Sequence, residues 1–216
     1  MNEMRALPRP KAGRPTREQA EARHNELLDT ALDPFLEKGF EQATIEAIAQ
    51  AVGMTKRTVY AKFADKEALF RAAVNLAVER YWVSPERIAA TDCGNIERTL
   101  TNIARLRIDE VRTANGLRLQ RIIATESYRF PDLYMLAYER GALPAIRFLA
   151  QVLARETAAG RLAVAEPEKA ANLFMAMVVT GPVRVIVAGQ DLPEAEIDER
   201  LRYAVDLFLN GARPRP

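Results

Sequence analysis

The sequence predicts an all-α protein. Three observations carry that prediction. Apolar residues recur at helical spacing along most of the 216 residues, no segment alternates in the two-residue period of a strand, and the patterns end at glycine, proline or capping residues. The valine-rich run Val178 to Val187 favours a strand by propensity. Its length and its helical neighbours predict a buried helix instead.

The first element is predicted from Arg17, with Thr16 as its N-cap and Gly39 as its stop. Leu27, Leu28, Ala31, Leu32, Phe35 and Leu36 form its apolar stripe. Pro34 lies inside it and is expected to bend or shorten the last turn, because its ring clashes with the carbonyl of Thr30. Thr44 caps a short helix to Ala51, Gly53 breaks it, and a second short helix runs from Thr55 to about Phe63. Asp65 caps the next helix, whose stripe is Leu69, Phe70, Ala73, Val74 and Ala77. Ser84-Pro85 marks another start, with proline at the first helical position. Further helices are expected near 96–113, 117–128, 132–158, 167–189 and 194–210, with breaks at Asn115-Gly116, Phe130-Pro131, Gly160 and Asp191 to Pro193.

Composition narrows the function classes. A chain of this length buries a core without staples, and its one cysteine, Cys93, allows no internal disulfide. The basic N-terminus has no apolar region behind it, so it does not read as a signal peptide. Apolar runs such as Leu173 to Val179 and Val185 to Ala188 fall short of the ~18–20 residues of a membrane span. A cytoplasmic protein without membrane contact is expected. Net charge is only +2, but it is clustered. Residues 5–17 hold five bases and no acid, 18–46 hold eight acids against two bases, and 54–66 hold four bases against one acid. Clustered basic charge beside a structured segment points to nucleic acid.

The segment Thr44 to Phe63, TIEAIAQAVGMTKRTVYAKF, has the spacing of a helix-turn-helix. Ala49 is small where the helices meet, Gly53 lets the chain reverse, and Ile48 with Val59 fills the angle. In this motif the second helix enters the major groove with its N-terminal residues at the base edges. Those residues are Thr55, Lys56, Arg57 and Thr58. Basic side chains donate to guanine and the threonine methyl touches thymine. Tyr60 and Lys62 suit phosphates, as do Thr44 at its cap and Lys66 at the next helix start. Arg14 and Arg17 of a basic arm add phosphate or minor-groove contacts.

Residues 17–70 resemble the N-terminal domain of the TetR/AcrR family of transcriptional regulators. Gly39-Phe40, Thr44, Ile48-Ala49, Gly53, Thr58-Val59-Tyr60, Phe63, Lys66-Glu67 and Leu69 fill the family's pattern in order. Pro34 departs from it, Ala43 stands where threonine is common, and Arg57 where glycine is frequent. The stretch ESYRFPDLYMLAYERG, residues 126–141, resembles the ligand-binding domain of the AefR-like branch. The resemblance implies three parts: a basic arm over 1–16, a DNA-binding domain over 17–64, and a ligand-binding and dimerisation domain over 65–216. It implies a homodimer through the helices near 167–189 and 194–210, a DNA operator and a small-molecule effector. Candidate pocket residues are Trp82, Glu126, Arg129, Phe130, Tyr134, Tyr138, Phe174 and Met177. Glu126 and Arg129 serve either as polar anchors or as an ion pair.

The expected function is a DNA-binding repressor released from a palindromic operator by its effector. The alternatives are an activator or a protein acting through a protein partner. No cofactor, metal or catalytic constellation is expected. His24 is the only histidine and lies far from Cys93, and no GxSxG, GxGxxG or Walker pattern occurs. His24 itself is expected to be an exposed helix residue.

Overall fold

The computed structural model describes residues 16–213. Among these the chain is built of helices alone. Helix α1 (Arg17–Gln42) starts on a reciprocal cap, in which Thr16 and Gln19 each bond the other's backbone N–H. It runs on through Pro34, against expectation. The only non-helical backbone within it is at Gly39, with φ 73° and ψ 168°. Burial of Leu32 and Phe35 on either side offsets the hydrogen bond that proline removes. Helices α2 (Ile45–Ala51) and α3 (Lys56–Tyr60) follow, capped by Thr44 and Thr55. The second is shorter than its pattern, ending at Tyr60 instead of Phe63. Gly53 at φ 62° makes the turn between them, in a region that side chains with a Cβ avoid.

Helix α4 (Lys66–Tyr81) packs into the same core as α1–α3 through Leu69, Phe70, Ala73, Val74 and Ala77. That core also takes in Leu119, Ile122, Phe130 and Leu133 from α7 (Ala114–Glu126) and α8 (Pro131–Ala137). The core boundary therefore lies beyond residue 64. A second core is formed by α5 (Pro85–Ala89), α6 (Ile96–Arg112), α9 (Leu143–Ala158), α10 (Pro167–Met175), α11 (Gly181–Val187) and α12 (Glu194–Ala212). Asn115-Gly116 is not a break. Thr113 caps α7 by accepting from Gly116 N–H, so both residues sit in its first turn.

Two π-helical turns interrupt the later helices, at Tyr138–Ala142 between α8 and α9 and at Ala176–Thr180 between α10 and α11. The first brings Gly141 against the indole of Trp82, which ends α4. A Cβ on Gly141 would stand 2.0 Å from Trp82 Cε2 and Cζ2. The second joins α10 and α11 into one helical run, Pro167–Val187, of 21 residues, whose most apolar stretch of 18 residues has a mean hydropathy of 1.7. That run is long and apolar enough to cross a membrane, which corrects the expectation from the shorter apolar stretches. Only 28% of its apolar window is buried, so the predicted buried helix is buried on one side alone.

The end of α1 is held from two directions. Lys66 Nζ donates to the carbonyls of Phe40, Glu41 and Ala43 at 2.7, 2.9 and 3.0 Å. These are acceptors that a helix end leaves without intrahelical partners. Glu126 Oε1 accepts from Phe40 N–H at 3.2 Å, and Arg129 pairs with Glu41. Between them the rings of Phe40, Phe70 and Phe130 meet at centroid distances of 4.9 to 5.3 Å.

Two outcomes test this packing. Lys66→Met leaves three carbonyls without their donor and should cost about 2 kcal/mol in denaturant unfolding. Gly141→Ala should cost about 1–3 kcal/mol through overpacking and should alter the emission of Trp82, the only tryptophan.

Candidate nucleic-acid interface and ligand cavity

Val59 and Phe63 are buried and fix α3 to the core. Its other face is exposed and carries Thr55, Lys56, Arg57, Thr58, Tyr60 and, just beyond, Lys62. Thr44 is exposed on the same motif. The hydroxyls of Thr55 and Thr58 lie 2.8 Å apart, so part of their bonding capacity is used within the helix. Lys56 pairs with Glu46 of α2, which holds the lysine above and the glutamate below its ordinary pKa. The pair is fully solvated, so phosphates can compete for the lysine. Arg57 makes no ion pair with any described residue and stands at the N-terminal end of α3. Arg17 is exposed in the first turn of α1, while Arg14 lies outside the described residues.

Two residues are placed otherwise than the sequence suggests. Lys66 is half-buried, and its ammonium is spent on the three carbonyls of α1, which leaves it little to offer a phosphate. His24 is half-buried, its ring stacked on Phe63 at 5.5 Å. Burial first, and then Lys62, hold its pKa below the ordinary histidine value.

The candidate pocket residues separate into three groups. Trp82, Tyr134 and Tyr138 line a cavity of about 270 Å3 between α4, α6, α7 and the two π turns. Glu126, Arg129 and Phe130 do not reach it; they clasp the end of α1. Phe174 and Met177 line a groove between α10 and α12, with the Phe174 and Phe208 rings 5.0 Å apart.

The cavity has polar members that helical spacing alone does not single out: Arg107, Gln120, Thr180 and Arg184. Arg107 is 6% exposed, and its Nη1 has no hydrogen-bond partner. Its guanidinium lies 5.9 Å from the Trp82 ring centroid. Burial pushes its pKa down to about 10, opposed only by the charge of Glu110. Glu110 itself bonds Arg87, at 3.2 Å. The sequence does contain a signal for Arg107. It occupies a core position of the stripe Leu100, Ile103, Ala104, Ile108 and Val111. Both π turns contribute wall residues, Tyr138 and Ala142 from one, Val179 and Thr180 from the other. Such turns are inserted residues and recur at functional sites. A wider opening of about 620 Å3, sharing Gln120, Tyr134 and Arg184, continues the cavity along α7 and α11.

Known proteins share this chain's family and fold. Residues 27–73 match the family described as bacterial regulatory proteins, tetR family, and residues 98–211 match the AefR-like transcriptional repressor C-terminal domain. The HTH-type transcriptional repressor Rv1474c of Mycobacterium tuberculosis is 28% identical over 89% of this chain and 94% of its own length. A TetR-family regulator structure from Mesorhizobium loti superimposes with a TM-score of 0.74 at 25% identity, covering 93% of this chain and all of the other. The flavonoid-responsive regulator FrrA is 32% identical with a TM-score of 0.66, covering 91% of this chain and 100% of its own. An exposed helix-turn-helix face in a domain of the tetR type, joined to a helical domain of the AefR-like type, places the chain in the TetR family of DNA-binding transcriptional regulators.

Proposed function

We propose that the chain is a homodimeric repressor that leaves a palindromic operator when a small molecule occupies the cavity beside Trp82. The observation that carries this reading is the position of α4. Its first residue, Lys66, holds the end of α1 under the helix-turn-helix, and its last turn delivers Trp82 to the cavity wall. A ligand that favours one position of Trp82 therefore acts on the helix to which the DNA-reading motif is tied. It shifts the population only in so far as it prefers the state that does not fit the operator.

On the DNA side, Arg57 is assigned to the bases with Thr55, Lys56 and Thr58, and Tyr60, Lys62, Thr44 and Arg17 to phosphates. The arm with Arg14 extends that contact. Lys66 is assigned to structure. Two copies reading half-sites ~34–36 Å apart require an interface. Leu173, Met177, Tyr203 and Leu207 are large apolar side chains left exposed on α10, its π turn and α12, Leu173 at 69% and Tyr203 at 71%. A second copy covers this face in the proposed assembly. Lipid does not suit it, because α12 beside it carries Glu194, Glu196, Asp198, Arg200, Arg202 and Asp206. The reading assigns no catalytic step and places the protein in the cytoplasm.

A gel shift with DNA from the protein's own locus tests the core of the proposal; a folded protein without sequence-specific binding at low salt would overturn it. Arg57→Ala should cost about 1–3 kcal/mol and relax preference at one base position. Lys62→Ala should weaken all sequences alike and reduce the salt slope by about two for a dimer. Tyr203→Glu combined with Leu207→Glu should give a helical monomer in sedimentation and abolish operator binding.

A further inference from the structure

We infer that the cavity is an anion site: Arg107 binds the carboxylate, or an equivalent acidic group, of a small effector whose apolar or aromatic body lies against Trp82 and Tyr138. The inference deepens the proposed effector response and rests on it for its regulatory meaning.

The first ground is the state of Arg107. An arginine carries five donors and a charge that burial makes costly unless something answers it. Here the guanidinium is buried, Nη1 has no acceptor, and no carboxylate of the described residues pairs with it. The acid whose charge acts on it, Glu110, is directed to Arg87. A buried polar group left unpaired in this way calls for an explanation. An incoming carboxylate supplies one, since its two oxygens match the guanidinium fork.

The second ground is the wall itself. Among the described residues no aspartate or glutamate lines the cavity, whereas Arg107 and the exposed Arg184 do. Gln120 and Thr180 add neutral donors, and the remaining surface is apolar or aromatic. A cationic ligand finds no counter-charge there. A neutral apolar ligand gains the walls but leaves Arg107 unanswered. A hydrophobic monoanion answers both.

Trp82 reports on binding directly, because it is the only tryptophan and lines the cavity. The probes are matched pairs titrated into the full-length protein: 4-tert-butylbenzoate against 4-tert-butylbenzamide, octanoate against octanamide, and 4-tert-butylbenzylammonium as the cation. Each carboxylate should bind about tenfold or more tightly than its amide, with the cation weakest. Arg107→Met should bring carboxylate and amide to equal affinity while the amide's own affinity holds. Arg107→Lys should keep part of the preference. Arg107→Met should also melt no lower than the parent, since it removes an uncompensated buried charge.

The inference is overturned if no carboxylate binds more tightly than its amide, or if the Arg107→Met protein keeps the preference. If that protein does not fold, Arg107→Lys with an undiminished preference for every carboxylate over its neutral partner and no change in either affinity overturns it as well. An Arg107-dependent carboxylate preference without release of operator DNA upholds the anion site and overturns the effector reading. Release of operator by an amide as readily as by its carboxylate, with equal affinities for the two, upholds the effector reading and overturns the anion site.

Discussion

The structure depends on how one helix end is satisfied. Helix α1 must stop where the helix-turn-helix begins, and Gly39 stops it by leaving helical geometry. That stop exposes carbonyls and an N–H in a partly buried place, where unpaired backbone groups are costly. Lys66 takes the carbonyls of Phe40, Glu41 and Ala43, and Glu126 takes the N–H of Phe40. The two partners come from different parts of the chain, α4 and the end of α7. Phe35, Phe40, Phe70 and Phe130 fill the space between them. Local backbone chemistry at residues 39–43 thereby fixes the recognition motif to both α4 and the α7–α8 corner.

The ligand side follows from the same frame. Helix α4 runs from that joint to the cavity, so one helix touches both the helix-turn-helix and the cavity wall. At the far end Trp82 sits over Gly141, where no larger residue fits without displacing the ring. The indole is thus wedged between a π turn and the buried guanidinium of Arg107. The cavity therefore joins a buried charge and an aromatic ring in one wall.

Much of the fold is legible in the sequence because helix periods, caps and stops are local. Thr16, Thr44, Asp65 and Ser84 each accept the backbone bond that their position predicts. The helix-turn-helix is legible for the same reason, since its turn, packing residues and exposed face lie within twenty consecutive positions. The joint and the cavity are not local. Glu126, Arg129 and Phe130 look like pocket residues from their composition, but their partners lie some 85 to 90 positions earlier, in the end of α1. Each π turn lengthens the apolar period by a single residue, as in the four-residue spacing of Leu133, Ala137, Gly141, Ala145 and Leu149, too little to tell from an ordinary helical stripe. Arg107 was open to detection as a charge on the apolar stripe of its helix. The structural engagement of Lys66 is a matter of three carbonyls that only the folded α1 brings together.

The π turns have a further consequence. Each stores one residue more than an α-helix of the same length, and the helices on either side keep their own phase. Removing one residue elsewhere in these helices would rotate everything beyond it by about 100° and turn buried faces outward. Removing one from Tyr138–Ala142 or Ala176–Thr180 would rewind a continuous α-helix and preserve both flanking faces. These two turns are therefore where the chain tolerates shortening, and the same change would redraw the cavity wall. A one-residue deletion at either point would therefore change the cavity wall without rebuilding the core.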